Sequence, residues 1–174
     1  MSAASPRLLS TRAQRPTEAD AEKARRCLRR LSGAKELGLR LNAFDPIHVI
    51  QYVDAAHAAH ENARSHAGSM STLVLGAIDA GSTALDMNTK SACESEHVSL
   101  SDNITNAIFM RNFLIAQGHH EHPAVATQDN EAAIKLAESG FSSAMRTRHI
   151  NIRYFLLKIE LQKERLKLNI VQLN

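Results

Sequence analysis

The stretch SACESEHVSLSDNITNAIFMRNFL, residues 91–114, opens with two glutamates one residue apart and continues as a mostly apolar run. Because each residue advances about 100° around a helix axis, Glu94 and Glu96 point in nearly opposite directions on a helix. Relative to Leu100, Glu96 lies about 40° off the row that faces the body of the domain, and Glu94 lies about 120° away. That row contains Leu100, Ile104, Ala107, Arg111, Leu114 and Ile115. The spacing predicts a long helix whose inward-facing acid is Glu96.

This helix is expected to run from Ser95 to Gln117 and to end at Gly118, since glycine favours the backbone conformation that closes helices. Phe109 and Phe113 lie on its other side, so burial on two faces is expected. An inward carboxylate at a helix start has two interpretations. It complements the helix dipole, or it points at a metal site where strand carboxylates converge.

Three short strands are expected before this helix, as an antiparallel meander. Residues 49–54 alternate in strand fashion, residues 60–70 resemble a turn, and STLVLGAI (71–78) predicts a second strand. A turn at Gly81-Ser82 and a third strand are expected within residues 80–90. Further upstream, a helix capped by Thr17 is expected to end near Gly33.

After the long helix the pattern alternates between strand and helix. A short strand (123–129) precedes a helix (130–139) ended by Gly140, and a mostly helical stretch (142–165) precedes a final strand (166–174) with Leu166, Leu168 and Ile170 on one face. The whole order predicts an α/β fold with a mixed five-stranded sheet, helices on its faces and an N-terminal helical appendage.

Composition bounds the function classes. The chain has 174 residues, 44% hydrophobic and 22% charged, enough for one domain with a single core. No apolar run approaches the roughly 20 residues of a membrane helix, and no secretory apolar segment is present. Cys27 and Cys93 lack metal-ligand spacing, so reduced thiols and an intracellular location, cytoplasmic or nuclear, are expected. A net charge of +3, with its basic residues concentrated early, suits either a polyanion or a solvated helix face.

Two further acids suggest a metal site. Asp54 ends the first strand pattern, and Asp129 lies between a strand and a helix, where an N-cap role shared with Asn130 is the alternative. Acids on two strands and a helix of one sheet can gather and hold two divalent cations about 3.5–4 Å apart for phosphodiester hydrolysis. Like charges this close repel one another, so such a cluster requires metal.

Four segments resemble, in order and spacing, the ribonuclease H domain of copia-type retrotransposon polyproteins: YVDAAH (52–57), residues 88–114, QDNEAAIKLAESG (128–140) and RTRHINIRYFLLK (146–158). Residues 11–41 resemble the segment that links their reverse transcriptase to that domain. The resemblance implies a ribonuclease H-like fold and cleavage of RNA in RNA–DNA hybrids with Mg²⁺ or Mn²⁺. It also implies that Asp54, Glu96 and Asp129 are the catalytic, metal-binding acids.

The departures from this family shape the remaining expectations. The family has a fourth carboxylate in a helix after the last strand, and this chain stops at Asn174 without it. A truncated, decayed copy with weak or no hydrolase activity is therefore expected. Its expected regions are a flexible leader (1–12), a remnant of the reverse transcriptase connection (13–43) and a ribonuclease H-like domain lacking its C-terminal helix (44–174). Its expected partners are an RNA–DNA hybrid and the reverse transcriptase of the parent polyprotein. The alternative is a non-catalytic basic domain that binds nucleic acid or protein.

Two clusters of basic residues have open interpretations. Contact with a nucleic-acid backbone, or a salt-bridged surface, is expected for Arg146, Arg148, His149 and Arg153. Contact with phosphates, or a solvated loop, is expected for His57, His60 and His66. The histidines of GHHEHP (118–123) predict a polar turn rather than a zinc site.

Overall fold

The computed structural model describes residues 9–10, 12–41, 47–60, 62–73, 75–120, 122–139 and 148–170. The helices are α1 (Glu18–Gly33), α2 (Ala92–Ala116), α3 (Glu131–Ser139) and α4 (Arg148–Gln162). The strands are β1 (Ile50–Ala56), β2 (His66–Thr72), β3 (Ala77–Ala84), β4 (Ala124–Gln128) and β5 (Leu166–Ile170). This order follows the one that the sequence predicts. The expected ends at Gly140 and beyond Ile170 lie outside the described residues.

The five strands form one mixed sheet in the order β3-β2-β1-β4-β5. The pairs β1–β2 and β2–β3 are antiparallel, and the pairs β1–β4 and β4–β5 are parallel. The predicted α/β fold with a mixed five-stranded sheet is confirmed. Because β1 and β4 run in the same direction, with Tyr52 opposite Thr127, Asp54 near the end of β1 and Asp129 just after β4 are at the same edge of the sheet.

The predicted turns around β2 and β3 are wrong. β2 occupies part of the stretch expected to be a turn, and the chain reverses between Thr72 and Ala77 instead of at Gly81-Ser82. Gly76 explains this position, because its φ of 73° is in the left-handed region and a side chain there would collide with the carbonyl of Arg40. Gly81 lies inside β3, opposite Ser69.

Helix α2 begins earlier than expected and is buried on fewer sides. The hydroxyl of its N-cap, Ser91, accepts a hydrogen bond from the Glu94 N–H at 3.1 Å, which sets the start at Ala92. Gly118, with φ of 89°, follows its end as predicted. Phe109 and Phe113 are 68% and 56% exposed, so the expected burial of their face is wrong.

The core lies between one face of the sheet and the three helices that follow β3. Its buried members are Val49, Val53, Leu100, Ile104, Ala107, Ala124, Ala126, Ala137, Leu157 and Leu166. Leu168 packs against it, as predicted, whereas Ile170 is 48% exposed. The opposite face of the sheet exposes Tyr52, Met70 and Ile78, so one side of the sheet holds the core and the other is open among the described residues.

The described part of the chain also shows the state of its two cysteines and the character of its helices. Cys27 and Cys93 are both free thiols. Of the helices described, none combines the length and the apolar character that crossing a bilayer requires.

Candidate metal centre

Three acids from separate elements meet at one edge of the sheet. Asp54 comes from β1, Glu96 from the second turn of α2, and Asp129 from the residue after β4. Each offers one carboxylate oxygen, and these oxygens all lie within 4.8 Å of one another. Glu96 is buried, whereas Asp54 and Asp129 are exposed. The cluster therefore has a buried floor, formed by Glu96, and an open side that faces solvent.

The Glu96 carboxylate is held by a donor on each oxygen. Its Oε1 accepts a hydrogen bond from the Ala55 N–H at 3.2 Å, and its Oε2 accepts one from Gln128 Nε2 at 2.5 Å. Glu96 is only 6% exposed, which fits a side chain fixed between two strands. Its orientation is thus set by β1 and β4, the strands that also supply the two aspartates.

Burial raises the pKa of Glu96 from its ordinary value of 4.5 to about 7. The Ala55 and Gln128 hydrogen bonds oppose this rise, because they stabilise the charged form, while the charges of Asp54 and Asp129 add to it. The cluster therefore places negative charge where it is disfavoured. A bound cation would relieve that penalty.

The neighbouring Glu94 stabilises the start of α2 and does not belong to the acid cluster. Its Oε2 accepts a hydrogen bond from the Lys90 N–H at 2.7 Å, and its own N–H donates to Ser91 Oγ. Glu94 is 6% exposed but is not part of the acid cluster. It fixes the turn that enters α2, so of the two glutamates only Glu96 faces the site.

Asp129 is free of the capping role that was its alternative interpretation. The Asn130 Oδ1 accepts a hydrogen bond from the Ala133 N–H at 3.1 Å, so Asn130 caps α3. Asp129 then has its side chain available to the cluster.

The donor set suits a hard divalent cation. All three side chains supply carboxylate oxygens, which Mg²⁺ and Mn²⁺ prefer over nitrogen or sulfur ligands. The oxygens are close enough to converge on a cation, and their mutual repulsion favours its binding. In the described residues no second group of three His, Cys, Asp or Glu side chains comes together, so the histidines of residues 118–123 that are described join no such site.

The three histidines after β1 differ in burial, since His57 is exposed, His60 is half-buried and His66 is buried. His66 is 3% exposed, with Nδ1 2.9 Å from His60 Nε2 and Nε2 2.7 Å from Ser82 Oγ. His57 Nδ1 lies 3.2 Å from Thr89 Oγ1. The expectation of solvated or phosphate-contacting side chains is therefore wrong for His66.

The predicted basic cluster is described only in part. Arg146 lies outside the described residues, and so do the side chains of Arg148 and His149, although both belong to α4. Arg153 forms two hydrogen bonds to the Asp102 carboxylate, at 2.8 and 3.3 Å. Arg153 thus fits the salt-bridged alternative, and nucleic-acid contact by this cluster stays a prediction.

Gln128 was missed as a site residue by sequence reasoning. It opens the segment QDNEAAIKLAESG (128–140), and its contact with Glu96 depends on how closely α2 approaches β4. A buried polar residue directly before a candidate ligand is the one signal that the sequence offers.

The chain was compared with known protein families, with curated proteins and with solved structures. No protein-family model matches the chain. It is 30% identical, over 141 residues and 80% of its length, to the retrovirus-related Pol polyprotein from transposon TNT 1-94 of Nicotiana tabacum. The chain spans 10% of the length of that relative.

Among solved structures, the chain resembles LC11-RNase H1, which was isolated from compost by a metagenomic approach, with a TM-score of 0.53 and 11% identity over 71% of this chain and 84% of that one. It also resembles a chain of the foamy viral protease-reverse transcriptase in complex with dsDNA, with a TM-score of 0.50 and 12% identity over 74% of this chain and 84% of that one. At such identities the likeness establishes the fold alone, which is ribonuclease H-like.

Proposed function

We propose that this chain, a ribonuclease H-like segment related to a retrotransposon Pol polyprotein, binds divalent cations through Asp54, Glu96 and Asp129 and hydrolyses the RNA strand of RNA–DNA hybrids. The observation that carries this proposal is the convergence of the three carboxylates, whose ligand oxygens lie within 4.8 Å of one another. The same three residues carry the resemblance to copia-type domains, and they come from three distant segments of the chain. Mg²⁺ or Mn²⁺ is the proposed cofactor.

The three acids divide into one buried and two exposed ligands. When bound, divalent cations would activate a water molecule and stabilise the charge that develops on the phosphodiester oxygens. Glu96 forms the buried floor of the cluster, where two hydrogen bonds hold it. Asp54 and Asp129 border the open side, from which a nucleic-acid backbone would approach. Because the described residues bring together three carboxylates and the resemblance implies four, we expect slow hydrolysis.

A cation titration tests the proposal. We expect the melting temperature of the purified chain to rise with millimolar Mg²⁺ or Mn²⁺, because a cation that binds only the folded state stabilises it. A labelled RNA–DNA hybrid should be cut slowly in its RNA strand, and a DNA duplex of the same sequence should stay intact. The absence of any cation-induced shift would contradict the proposal. A shift without cleavage would instead favour the non-catalytic alternative.

The N-terminal segment is proposed to pack against another part of the parent polyprotein, the reverse transcriptase. The support is a set of exposed leucines: Leu28 is 65% and Leu31 57% exposed on α1, and Leu37, after the helix, is 81% exposed. Exposed apolar groups of this kind are typical of contact surfaces. Residues 13–43 are therefore proposed as the connection, and the leader (1–12) lies largely outside the described residues.

Replacing Leu28 and Leu31 with glutamine is expected to leave the melting temperature of the isolated chain within about 1 °C, because exposed surface substitutions change stability little. A matched control is Leu100→Ala, which removes a fully buried side chain and should cost roughly 2–5 kcal/mol of unfolding free energy. Thermal melts of both variants check this. A large loss in the glutamine variant would mean that these leucines pack within the chain.

Residues 44–174 are proposed as the ribonuclease H-like domain, because all five strands and all three acids lie within them. Among the described residues one face of the sheet is open, since Tyr52 and Met70 are each 38% exposed and Ile78 is 40% exposed. A helix or a partner that covered this face would bury those three side chains.

A further inference from the structure

Gln128 is a buried amide whose hydrogen bonding is satisfied on one side only. It is 1% exposed, and its Nε2 donates to Glu96 Oε2 at 2.5 Å. Its own Oε1 has no hydrogen-bond partner within the part of the chain that the structure describes. A buried acceptor without a partner destabilises a fold, so the amide carries a cost that its hydrogen bond to Glu96 must offset. The contact with Glu96 is therefore what explains an amide at this position.

We propose that Gln128 is a positioning residue, which fixes the Glu96 carboxylate in the orientation that divalent cations require. This inference rests on the proposed function and adds a residue that the three-acid site does not include. Gln128 acts through Glu96 and does not itself contact the cations.

The geometry around Glu96 explains how Gln128 acts. The Ala55 N–H holds Oε1 at 3.2 Å and Gln128 holds Oε2, so the two donors fix the carboxylate plane from β1 and β4. Each oxygen keeps a further lone pair for a cation. The last torsion of a glutamate side chain is broad and roughly two-fold, so with only the Ala55 donor the carboxylate would reorient easily.

The chemical nature of the donor matters as well. An amide is neutral, so Gln128 holds Glu96 without reducing the negative charge that attracts a cation. A lysine or arginine in its place would satisfy the same carboxylate but would repel the cation. Outer partners of this kind are known to orient metal ligands.

Gln51 provides a matched control. It is also a fully buried glutamine of the sheet, on the neighbouring strand β1, and its Nε2 likewise has no partner among the described residues. Its Oε1 accepts a hydrogen bond from Ser71 Oγ at 2.5 Å, and Ser71 is not part of the acid cluster.

The test measures Mn²⁺ binding by the loss of the free-ion electron paramagnetic resonance signal, in the wild-type chain and in Gln128→Leu and Gln51→Leu. We expect Gln128→Leu to weaken Mn²⁺ affinity by about 10-fold or more, which is typical for loss of an outer partner of a metal ligand. Gln51→Leu should leave the affinity unchanged. The melting temperature of Gln128→Leu without Mn²⁺ should stay near that of the wild-type chain, because removal of the unpaired Oε1 offsets the loss of the hydrogen bond to Glu96. Gln128→Asn, which is too short to reach Glu96, serves if the leucine variant does not fold.

The outcomes separate this inference from the proposed function. If the wild-type chain binds no Mn²⁺, the proposed function fails and this inference fails with it. If the wild-type chain binds Mn²⁺ and Gln128→Leu and Gln128→Asn bind it equally well, only the positioning role is overturned. Equal weakening by Gln51→Leu and Gln128→Leu would also overturn it, because the effect would then come from general loosening of the sheet.

Discussion

Replacing Asp54 or Asp129 with asparagine is expected to raise the melting temperature of the cation-free chain and to remove most of its stabilisation by Mn²⁺. Both aspartates lie within 4.8 Å of the other acids, so loss of one negative charge relieves repulsion when no cation is present. The same loss removes a ligand when a cation is present. The sign of the effect therefore reverses between the two conditions.

The expected size follows from binding linkage. At a Mn²⁺ concentration of 100 times the dissociation constant, the wild-type chain would gain about 2.7 kcal/mol. If losing a ligand weakens binding about 100-fold, the gain at that same concentration falls to about 0.4 kcal/mol. Thermal melts with and without Mn²⁺ measure both numbers.

Glu94→Gln is the control for these aspartate variants. Glu94 is as buried as Glu96 and lies two residues away, but it bonds the Lys90 N–H and belongs to no cluster. Its replacement should lower stability equally with and without Mn²⁺. If Asp54→Asn and Asp129→Asn behaved like Glu94→Gln, the three acids would be structural and the metal site would not exist.

The sequence predicts the element order and the three acids because both depend on local patterns. The 100° advance of a helix places Glu96 and not Glu94 toward the body of the domain, and the structure has Glu96 in the cluster. The parallel pairing of β1 with β4 follows from the strand–helix alternation and brings Asp54 and Asp129 to one edge. Periodicity therefore suffices wherever one face of an element is buried.

Hydrophobic periodicity does not predict features that depend on tertiary contacts or on strands without apolar residues. β2 consists mostly of small and polar residues, so it lacks a strand signal, and the turn after it is placed by a backbone approach between Gly76 and Arg40 that is distant in sequence. Phe109 and Phe113 are apolar yet exposed, because among the described residues the sheet covers only one side of α2. The contact between Gln128 and Glu96 joins residues 32 positions apart and depends on tertiary packing.

A second large effect is expected from pH in cation-free buffer. The pKa of Glu96 is about 7 in the folded chain and 4.5 when unperturbed, so the unfolded state loses its proton first as pH rises. The stabilisation that the raised pKa of Glu96 contributes is fully present below pH 4.5 and is lost as pH rises through 7. At about 1.4 kcal/mol per pH unit the difference is about 3 kcal/mol, and we expect roughly 2 kcal/mol because water at the open side screens part of the charge. Glu96→Gln should therefore stabilise the chain at pH 8 and have little effect at pH 4.5.

The adjacent His97 has the opposite pH dependence. It is fully buried, and burial lowers its pKa from 6.5 to about 4; the positive charge of Arg153 lowers it further, and a hydrogen bond with the Ala133 backbone partly opposes this. The unfolded state therefore binds the proton first as pH falls, and about 3 kcal/mol of stability is lost between pH 6.5 and 4.

Between pH 4.5 and 6.5 the contributions of Glu96 and His97 have opposite slopes and largely cancel. The wild-type unfolding free energy should then be nearly flat in this range as far as these two groups are concerned. In Glu96→Gln only the contribution of His97 remains, so the unfolding free energy should fall toward acid pH by up to about 1.4 kcal/mol per pH unit. In His97→Gln only the contribution of Glu96 remains, so the unfolding free energy should fall toward alkaline pH. Urea unfolding at pH 4.5, 5.5, 6.5 and 8 measures these slopes, and identical slopes in both variants would mean that neither group is buried as the structure describes.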